Sequence, residues 1–329
     1  NYEGLRDDIV NMLSGKKLYV NTETFQNDFS TVSSKDEALT ALIHLGYLGY
    51  DREEESAFIP NYEVKKAYQA ALCTGDWGKI GKSIAIAFSM YSKIPMVQFE
   101  WKEEDMRYSM CFFPLVGIVI GLLSWFWWLF CQQFGIGKMC FAFVGLAIIL
   151  LVTGGIHMDG YMDTMDALHS YGSREKKLEI LKDSHIGAFA VIMTVLYVLI
   201  AAGAYSEIKN YSVMASFCGS YFLSRIFSAI AVVSFPCAKK EGTLYMFADA
   251  AQEKIVKRSL YAELALCALW QILMDPKAGI MQLICALTVF GYYYYKSKKE
   301  FGGITGDLAG YFVTLCEGAL MVMAAIACL

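Results

Sequence analysis

The stretch SMCFFPLVGIVIGLLSWFWWLFCQQF at residues 109–134 decides the fold, because it contains no charged side chain. A helix needs about 20 predominantly apolar residues to cross a hydrocarbon core of about 30 Å. Similar stretches recur along the chain, and together they give candidate spans at residues 109–134, 139–156, 186–206, 211–238, 259–274, 278–295 and 308–329. The sequence therefore predicts an all-α, polytopic membrane helical bundle with about seven transmembrane helices.

Composition and charge support this prediction. Of the 329 residues, 56% are hydrophobic and 18% are charged, whereas soluble domains are about 45–50% apolar and about 25% charged. With a net charge of −4, nothing marks the chain as a nucleic-acid binder, whose footprint is a clustered basic surface, so we set that class aside. Acidic residues concentrate before residue 108, so we predict a small polar helical segment at 1–78 and a membrane-embedded domain at 79–329. Residues 75–78 are the predicted linker.

The distribution of Lys and Arg gives the predicted spans an orientation. Seventeen basic residues lie in the connections before span 1 and after spans 2, 4 and 6, whereas the alternate connections contain only Lys138, Lys209 and Lys277. Cytoplasmic loops of membrane proteins carry an excess of basic residues. We therefore expect a multi-pass protein of the cell (inner) membrane whose long polar connections, and hence its active site, face the cytoplasm.

The connection after span 2 carries the main candidate site, in the stretch TGGIHMDGYMDTMDALHS at residues 153–170. Asp159, Asp163 and Asp166 are spaced i, i+4 and i+7, which places three carboxylates on one face of a helix that continues from span 2. Like charges on one face repel, and Mg²⁺, which prefers oxygen ligands, would relieve that repulsion. The pattern predicts phosphoryl transfer from a diphosphate at the membrane surface. A solvated loop helix is the alternative.

Polar residues in other connections indicate further parts of a phosphate-handling site. Asp183 would add a carboxylate where the chain re-enters the membrane. Arg225 lies inside span 4, where an ionisable residue is costly and by default functional, although a structural ion pair with Glu317 is the alternative. The run FGGITGD at residues 301–307 enters span 7 with three glycines and an acid at a helix start, where backbone N–H groups hold anions. A glycine-rich turn capped by Asp307 is the alternative there.

Several blocks occur in an order that is far more specific than any one of them. They are AFSMYSKIPM at 87–96, FFPLVGIVIG at 112–121, GGIHMDGYMDTMD at 154–166, EILKDSHIGAFA at 179–190, SR at 224–225, FPCAKKEG at 235–242 and GGITGDLAG at 302–310, followed by Glu317. Over about residues 80–329 the chain resembles the cobalamin synthase family, the adenosylcobinamide-GDP ribazoletransferases. Its departures from the family's residues are Ala167, His185, Ala190 and Lys239, of which Lys239 replaces an Arg and so loses bidentate phosphate binding.

The resemblance implies the last assembly step of the cobalamin nucleotide loop. A hydroxyl group of α-ribazole, or of its 5′-phosphate, would attack the phosphoryl group of adenosylcobinamide-GDP next to cobinamide, and GMP would leave. Asp159, Asp163 and Asp166 would hold the Mg²⁺ cofactor and the diphosphate, and one of them, Asp183 or His157 would be the general base. The substrate-binding residues carried over are Lys182, Ser184, Gly187, Arg225, Lys239, Thr305, Asp307 and Glu317. The expected partners are the two substrates and the lipid bilayer, with a homo-oligomer as a further expectation.

Two other functions are alternatives. A CDP-alcohol phosphotransferase of phospholipid synthesis also uses a carboxylate stripe at a membrane surface, but its pattern D-G-x-x-A-R-(x)8-G-x-x-x-D-x-x-x-D is not met, because Asp163 and Thr164 stand where Ala and Arg belong. A small ion-coupled transporter would use Arg225 and Glu317 as a gate. Against it, the acids cluster in a connection rather than at mid-membrane.

The N-terminal segment resembles a different family. The stretches LSGKKLYV at 13–20, ALIHLGYLGY at 41–50 and FIPNYEVKKAYQAAL at 58–72 are similar to the winged, helical piece at the C-terminus of predicted AAA-type ATPase and nuclease proteins of anaerobic bacteria. A first helix is predicted from apolar residues at helical spacing, Leu39, Leu42, Ile43, Leu45 and Leu48, and a second helix is predicted at 63–72. Because no Walker A loop or nuclease carboxylates are present, no such activity carries over. A fusion remnant is the favoured interpretation, and a regulatory module is the alternative.

Overall fold

The computed structural model describes residues 5–22, 34–65, 68, 76–96, 99, 101–183 and 185–329. The chain forms two compact units, Asn1–Gly81 and Lys82–Leu329, with a boundary close to the one predicted after residue 78. The predicted linker is wrong for residues 76–78, because they begin a helix; residue 75 lies outside the described residues.

The first unit combines short helices with a small sheet. Its described elements are α1 (Leu5–Leu13), β1 (Leu18–Tyr19), α2 (Lys35–His44), β2 (Gly49–Asp51) and β3 (Ser56–Phe58). The strands pair antiparallel in the order β1-β3-β2, and Ala57 opposite Leu18 is fully buried. The prediction of a purely helical segment is therefore incomplete, since strands of two or three residues show no alternating pattern in the sequence. Of the second predicted helix, residues 63–65 and 68 are helical, and the others lie outside the described residues.

The second unit is helical. Its described helices are α3 (Asp76–Tyr91, which begins in the first unit), α4 (Glu103–Met106), α5 (Ser109–Phe134), α6 (Lys138–Thr153), α7 (Ile156–His169), α8 (Arg174–Ile180), α9 (Ala188–Ser206), α10 (Tyr211–Cys218), α11 (Ser220–Val232), α12 (Thr243–Ala250), α13 (Glu253–Met274), α14 (Pro276–Lys296), a π-helix (Ser297–Phe301) and α15 (Gly306–Ala327). α15 packs against α7, α9, α11 and α14, so it lies at the centre of the unit.

The polytopic membrane architecture is confirmed. Within the described residues, four segments are long and apolar enough to cross a membrane: α5, α9, α15 and the α10–α11 pair, and the bent pair α6–α7 would make a fifth. α13 and α14 coincide with the fifth and sixth predicted spans, but α13 begins with several charged residues and α14 ends with four tyrosines. The count of seven spans therefore stays a prediction.

Close helix contacts in the core depend on small residues. A Cβ atom at Gly117 of α5 would lie 2.2 Å from the carbonyl oxygen of Tyr221 in α11. Because any side chain there would collide with backbone, the glycine allows the two helices to touch directly. The same contact buries Tyr221 completely.

The acid-bearing helix does not continue span 2. Gly154 and Gly155 adopt left-handed backbone conformations, with φ of 65° and 81°, and α7 leaves α6 at an angle of 97°. Such φ values suit glycine and cost other residues energy, so the glycine pair ends α6 and redirects the chain. α7 therefore turns away from α6 instead of extending it, which corrects the prediction of one continuous helix.

Candidate active site

The three predicted carboxylates lie on α7 and act on one another. Burial and the charges of Asp159, Asp307 and Asp166 raise the pKa of Asp163 to about 6. Gly187, at the N-terminus of α9, makes room for the third acid, because a Cβ atom there would lie 2.0 Å from Asp166 Oδ1. The predicted acidic face is therefore present, and Gly187 serves it as a space-making residue.

Asp307 joins this face from a distant part of the sequence. α7 and α15 touch at Gly160, where a Cβ atom would lie 2.6 Å from the Asp307 carbonyl oxygen. In a second contact, Gly310 of α15 lies against the backbone of His157. A Cβ atom at Gly310 would lie 3.2 Å from the Cα atom of His157. The two glycines bring the start of α15 beside the carboxylates. We name Asp159, Asp163, Asp166 and Asp307 the acid cluster.

A cavity of about 390 Å³ opens beside the acid cluster. Three segments of chain form its walls: the end of the α8 connection, the connection after α11, and the start of α15. The lining residues include predicted Lys182, Lys239, Thr305 and Asp307, and also Glu241, Thr243, Leu244 and Tyr245, for which no role was predicted. We name this space the lysine cavity; it shares Asp307 with the acid cluster.

The two lysines of the lysine cavity are held in different ways. Lys239 Nζ donates to the Leu178 carbonyl oxygen at 3.3 Å, and its partial burial and the charge of Lys182 lower its pKa. Lys182 Nζ lies 3.4 Å from Glu241 Oε1, and both side chains are mostly exposed. Within the described residues Lys239 forms no ion pair, although the charges of Glu241 and Asp307 act on it, and two neighbouring cations suit an anion between them.

Thr305 and Asp307 begin α15. The Thr305 hydroxyl accepts from the Leu308 N–H at 3.3 Å, so Thr305 rather than Asp307 is the N-cap. The alternative of a turn capped by Asp307 is therefore wrong, and the charge of the Asp307 carboxylate acts on Asp159 and Asp163. The helix start still presents N–H groups toward the lysine cavity.

Hydrogen bonds join two connections that are far apart in sequence and that both line the lysine cavity. Ala238 N–H donates to the Ile304 carbonyl oxygen and Ile304 N–H donates to the Pro236 carbonyl oxygen, each at 2.9 Å. A Cβ atom at Gly303 would lie 2.4 Å from the Pro236 oxygen. These bonds fix Lys239 relative to Asp307, because each residue follows its bonded segment directly.

Gly303→Ala is therefore expected to push the two segments apart and to lower kcat/KM by about tenfold to a hundredfold, since small misplacements of binding groups carry costs of that order. Steady-state kinetics of the purified variant checks this. Gly291→Ala is the matched control, because a Cβ there meets nothing within 4 Å. Equal kinetics of the two variants would contradict the positioning role.

Asp183 does not join the acid cluster. Its carboxylate accepts from the His185 backbone N–H at 3.0 Å and contacts His185 Nδ1 at 2.6 Å, and these hydrogen bonds lower its pKa. Both side chains are exposed. No contact among the described residues joins Asp183 to the three acids of α7, so its role as a fourth carboxylate stays a prediction, while the charge of Asp307 acts on Asp163. Ser184 lies outside the described residues.

His157 faces inward. Its ring lies among Tyr91 and Phe113, with centroids 6.4 and 5.9 Å away. Burial and the charge of Arg225 hold the pKa of His157 well below its usual range. Because residues two apart on a helix point in different directions, His157 lies off the face that carries Asp159. The geometry therefore favours a carboxylate over His157 as the general base.

Arg225 and Glu317 form the buried ion pair that was the alternative interpretation. Arg225 Nη1 lies 2.5 Å from Glu317 Oε1 and donates also to the Tyr221 carbonyl oxygen at 2.8 Å. Ser224 donates to the same carboxylate at 3.3 Å. Arg225 is fully buried in α11, and neither partner lines the lysine cavity. The predicted substrate-binding role of these two residues therefore finds no support in their contacts.

The acid cluster is not a closed metal cage. Among the residues that the structure describes, no three His, Cys, Asp or Glu side chains are arranged to hold one metal ion. Mg²⁺ in enzymes of phosphate transfer is usually bound by one or two carboxylates and completes its shell with water and substrate phosphate. Asp163, whose pKa is raised by burial and by its acidic neighbours, lies beside a cavity lined with lysines, and this arrangement fits that open mode of binding.

Comparison with known proteins identifies the family of the chain. The family model described as cobalamin-5-phosphate synthase matches residues 83–325. A protein of Lachnoclostridium phytofermentans named adenosylcobinamide-GDP ribazoletransferase is 42% identical over 237 residues, covering 71% of this chain and 90% of its own length. Namesakes from Clostridium perfringens and Desulfitobacterium hafniense are 31% and 32% identical over 72% of this chain and cover 94% and 93% of their own lengths. No solved structure matches the chain. The family model begins after residues 1–78, whose resemblance to ATPase and nuclease proteins stays a prediction.

Proposed function

The chain belongs to the cobalamin-5-phosphate synthase family, and from this premise we propose that it is an adenosylcobinamide-GDP ribazoletransferase. It transfers the adenosylcobinamide phosphoryl group to α-ribazole or its 5′-phosphate and releases GMP. The observation that carries the proposal is the position of Asp307, which belongs both to the acid cluster and to the lysine cavity. Carboxylates suited to a metal and cations suited to a diphosphate thus meet at one place.

The residues divide the chemistry between them. Lys182, Lys239 and the N-terminus of α15 bind the diphosphate and balance the charge that develops on it. A carboxylate of the acid cluster takes the proton from the attacking hydroxyl group, whose oxygen forms the new bond to phosphorus. The bond from that phosphorus to the oxygen of GMP breaks, and GMP leaves with this oxygen. Asp163, which lies among Asp159, Asp166 and Asp307, is the candidate base when its neighbours hold the metal.

Mg²⁺ is the proposed cofactor, with one or two of Asp159, Asp163 and Asp166 as its ligands and Asp307 close by. When bound, it neutralises charge on the phosphoryl oxygens. We expect EDTA to abolish turnover and added Mg²⁺ to restore it. Dialysis without a chelator should lower turnover less than EDTA does. Product formation measured by mass spectrometry checks this, and turnover that resists EDTA would contradict the metal role.

The proposed site faces the cytoplasm of the cell membrane. The connections after spans 2, 4 and 6, which carry most of the basic residues, converge at the acid cluster and the lysine cavity. Charge asymmetry supports the cytoplasmic side for that end of the molecule.

The function is tested by supplying the purified full chain in detergent or nanodiscs with adenosylcobinamide-GDP, α-ribazole and Mg²⁺. The expected result is GMP together with a cobalamin product. CDP-diacylglycerol with an alcohol acceptor is the parallel assay, and product there alone would favour the phospholipid enzyme. Turnover in neither assay, with well-folded protein, would contradict the proposal.

A further inference from the structure

One wall of the lysine cavity consists of side chains that phosphate binding does not explain. Glu241, Thr243, Leu244 and Tyr245 form this wall, in the segment that leads from the α11 connection into α12. A carboxylate so close to a phosphate-binding pair would repel an anionic ligand. Its presence therefore indicates that the ligand also carries hydrogen-bond donors.

The size and polarity of the cavity select among the parts of the two substrates. About 390 Å³ suits a nucleoside and is too small for a corrin ring with its side chains. The benzimidazole base of α-ribazole, once joined to ribose, carries no N–H group for a carboxylate. Guanine presents N1–H and the N2 amino group side by side, which together match the two oxygens of a carboxylate.

On the basis of the proposed function, we infer that the lysine cavity holds the GMP half of adenosylcobinamide-GDP and that Glu241 accepts hydrogen bonds from the N1–H and N2 amino group of guanine. Glu241 is thus a residue that determines specificity for the base. Lys182 and Lys239 hold the phosphates at the mouth, next to Asp307.

The existing contact of Glu241 is easy to exchange. Its partner Lys182 lies at 3.4 Å, and the two side chains are 70% and 62% exposed. Exposed ion pairs of this kind contribute little to stability. When the nucleotide binds, the ion pair between Lys182 and Glu241 is replaced by two contacts. Lys182 then contacts the phosphate, and Glu241 contacts the edge of guanine.

Tyr245 supplies a flat surface for the base. Tyr245 lines the cavity, and its hydroxyl group donates to Asp249 Oδ1 at 3.3 Å, one turn further along α12. Aromatic faces bind bases by stacking without regard to their identity. The wall therefore combines a nonspecific contact at Tyr245 with a specific one at Glu241.

Glu241→Gln tests the inference against the hypoxanthine analogue adenosylcobinamide-IDP, which lacks the N2 amino group. Loss of a hydrogen bond to a charged group lowers binding by about tenfold to a hundredfold. We expect the unchanged protein to prefer the GDP substrate by about tenfold in kcat/KM and the variant to bring that ratio close to one. The variant should lose more activity with the GDP substrate than with the IDP substrate.

Glu179→Gln is the matched control, because Glu179 is also an exposed carboxylate paired with a lysine, Lys176 at 3.0 Å, and it does not line the cavity. Its base preference should equal that of the unchanged protein. A GDP-to-IDP ratio that Glu241→Gln leaves unaltered would overturn the inference, as would an equal fall of activity with both substrates.

Equilibrium binding of GMP, IMP and α-ribazole separates this inference from the proposed function. GMP that binds more tightly than IMP, and loses that advantage in Glu241→Gln, supports the guanine site even if the transferase assay gives no product. Binding of α-ribazole that competes with GMP at this site would overturn the assignment. Turnover with no preference between GMP and IMP would retain the proposed function and reject the role of Glu241.

Discussion

Asp163→Asn is expected to lower kcat by at least about a hundredfold while the protein still inserts and folds. Removal of one electrostatic contact to a transition state costs about 10²–10³-fold in other enzymes, and here it also removes the best candidate base. The amide has the size of the carboxylate, and it relieves repulsion from Asp159, Asp166 and Asp307. The measurement is single-turnover transfer with saturating adenosylcobinamide-GDP.

Two comparisons make that result specific. The kcat of Asp159→Asn and of Asp166→Asn is expected to fall by similar factors. The control is Glu175→Gln, which should keep its activity, because Glu175 is an exposed carboxylate in the first turn of α8. Unchanged turnover in Asp163→Asn would remove Asp163 from the reaction. Equal loss in Glu175→Gln would point to a general effect of surface charge instead.

Arg225→Leu is expected to destabilise the folded protein by about 3–5 kcal/mol, the cost of leaving one member of a buried ion pair without its partner. The abandoned group is Glu317, which is 3% exposed and keeps only the hydrogen bond from Ser224. Reversible unfolding in mixed micelles, followed by circular dichroism, measures the change in the free energy of unfolding.

The double variant Arg225→Leu with Glu317→Leu distinguishes pairing from catalysis. Replacement of both charges by apolar residues is often neutral or stabilising, so we expect most of the lost stability to return. Activity should return with it, because neither residue lines the lysine cavity. A stable double variant without activity would instead support the predicted substrate-binding role.

Local patterns in the sequence were enough for the helices and the acidic face. The long uncharged stretch at 109–134 became α5 without change, because a helix in hydrocarbon satisfies its own backbone hydrogen bonds and needs only apolar side chains. The spacing of Asp159, Asp163 and Asp166 likewise places them together on any helix. Both features depend on residues within a few turns of one another, so periodicity predicts them.

The tertiary structure decided which distant residues complete the site. The turn at Gly154–Gly155 directs α7 away from α6, and the contact at Gly160 then brings Asp307 to the acids. The bonds between Pro236, Ala238 and Ile304 join two connections and create the lysine cavity with Glu241 in its wall. Spacing along the chain carries no information on these contacts, because the direction of a helix after a glycine pair is set by what it packs against.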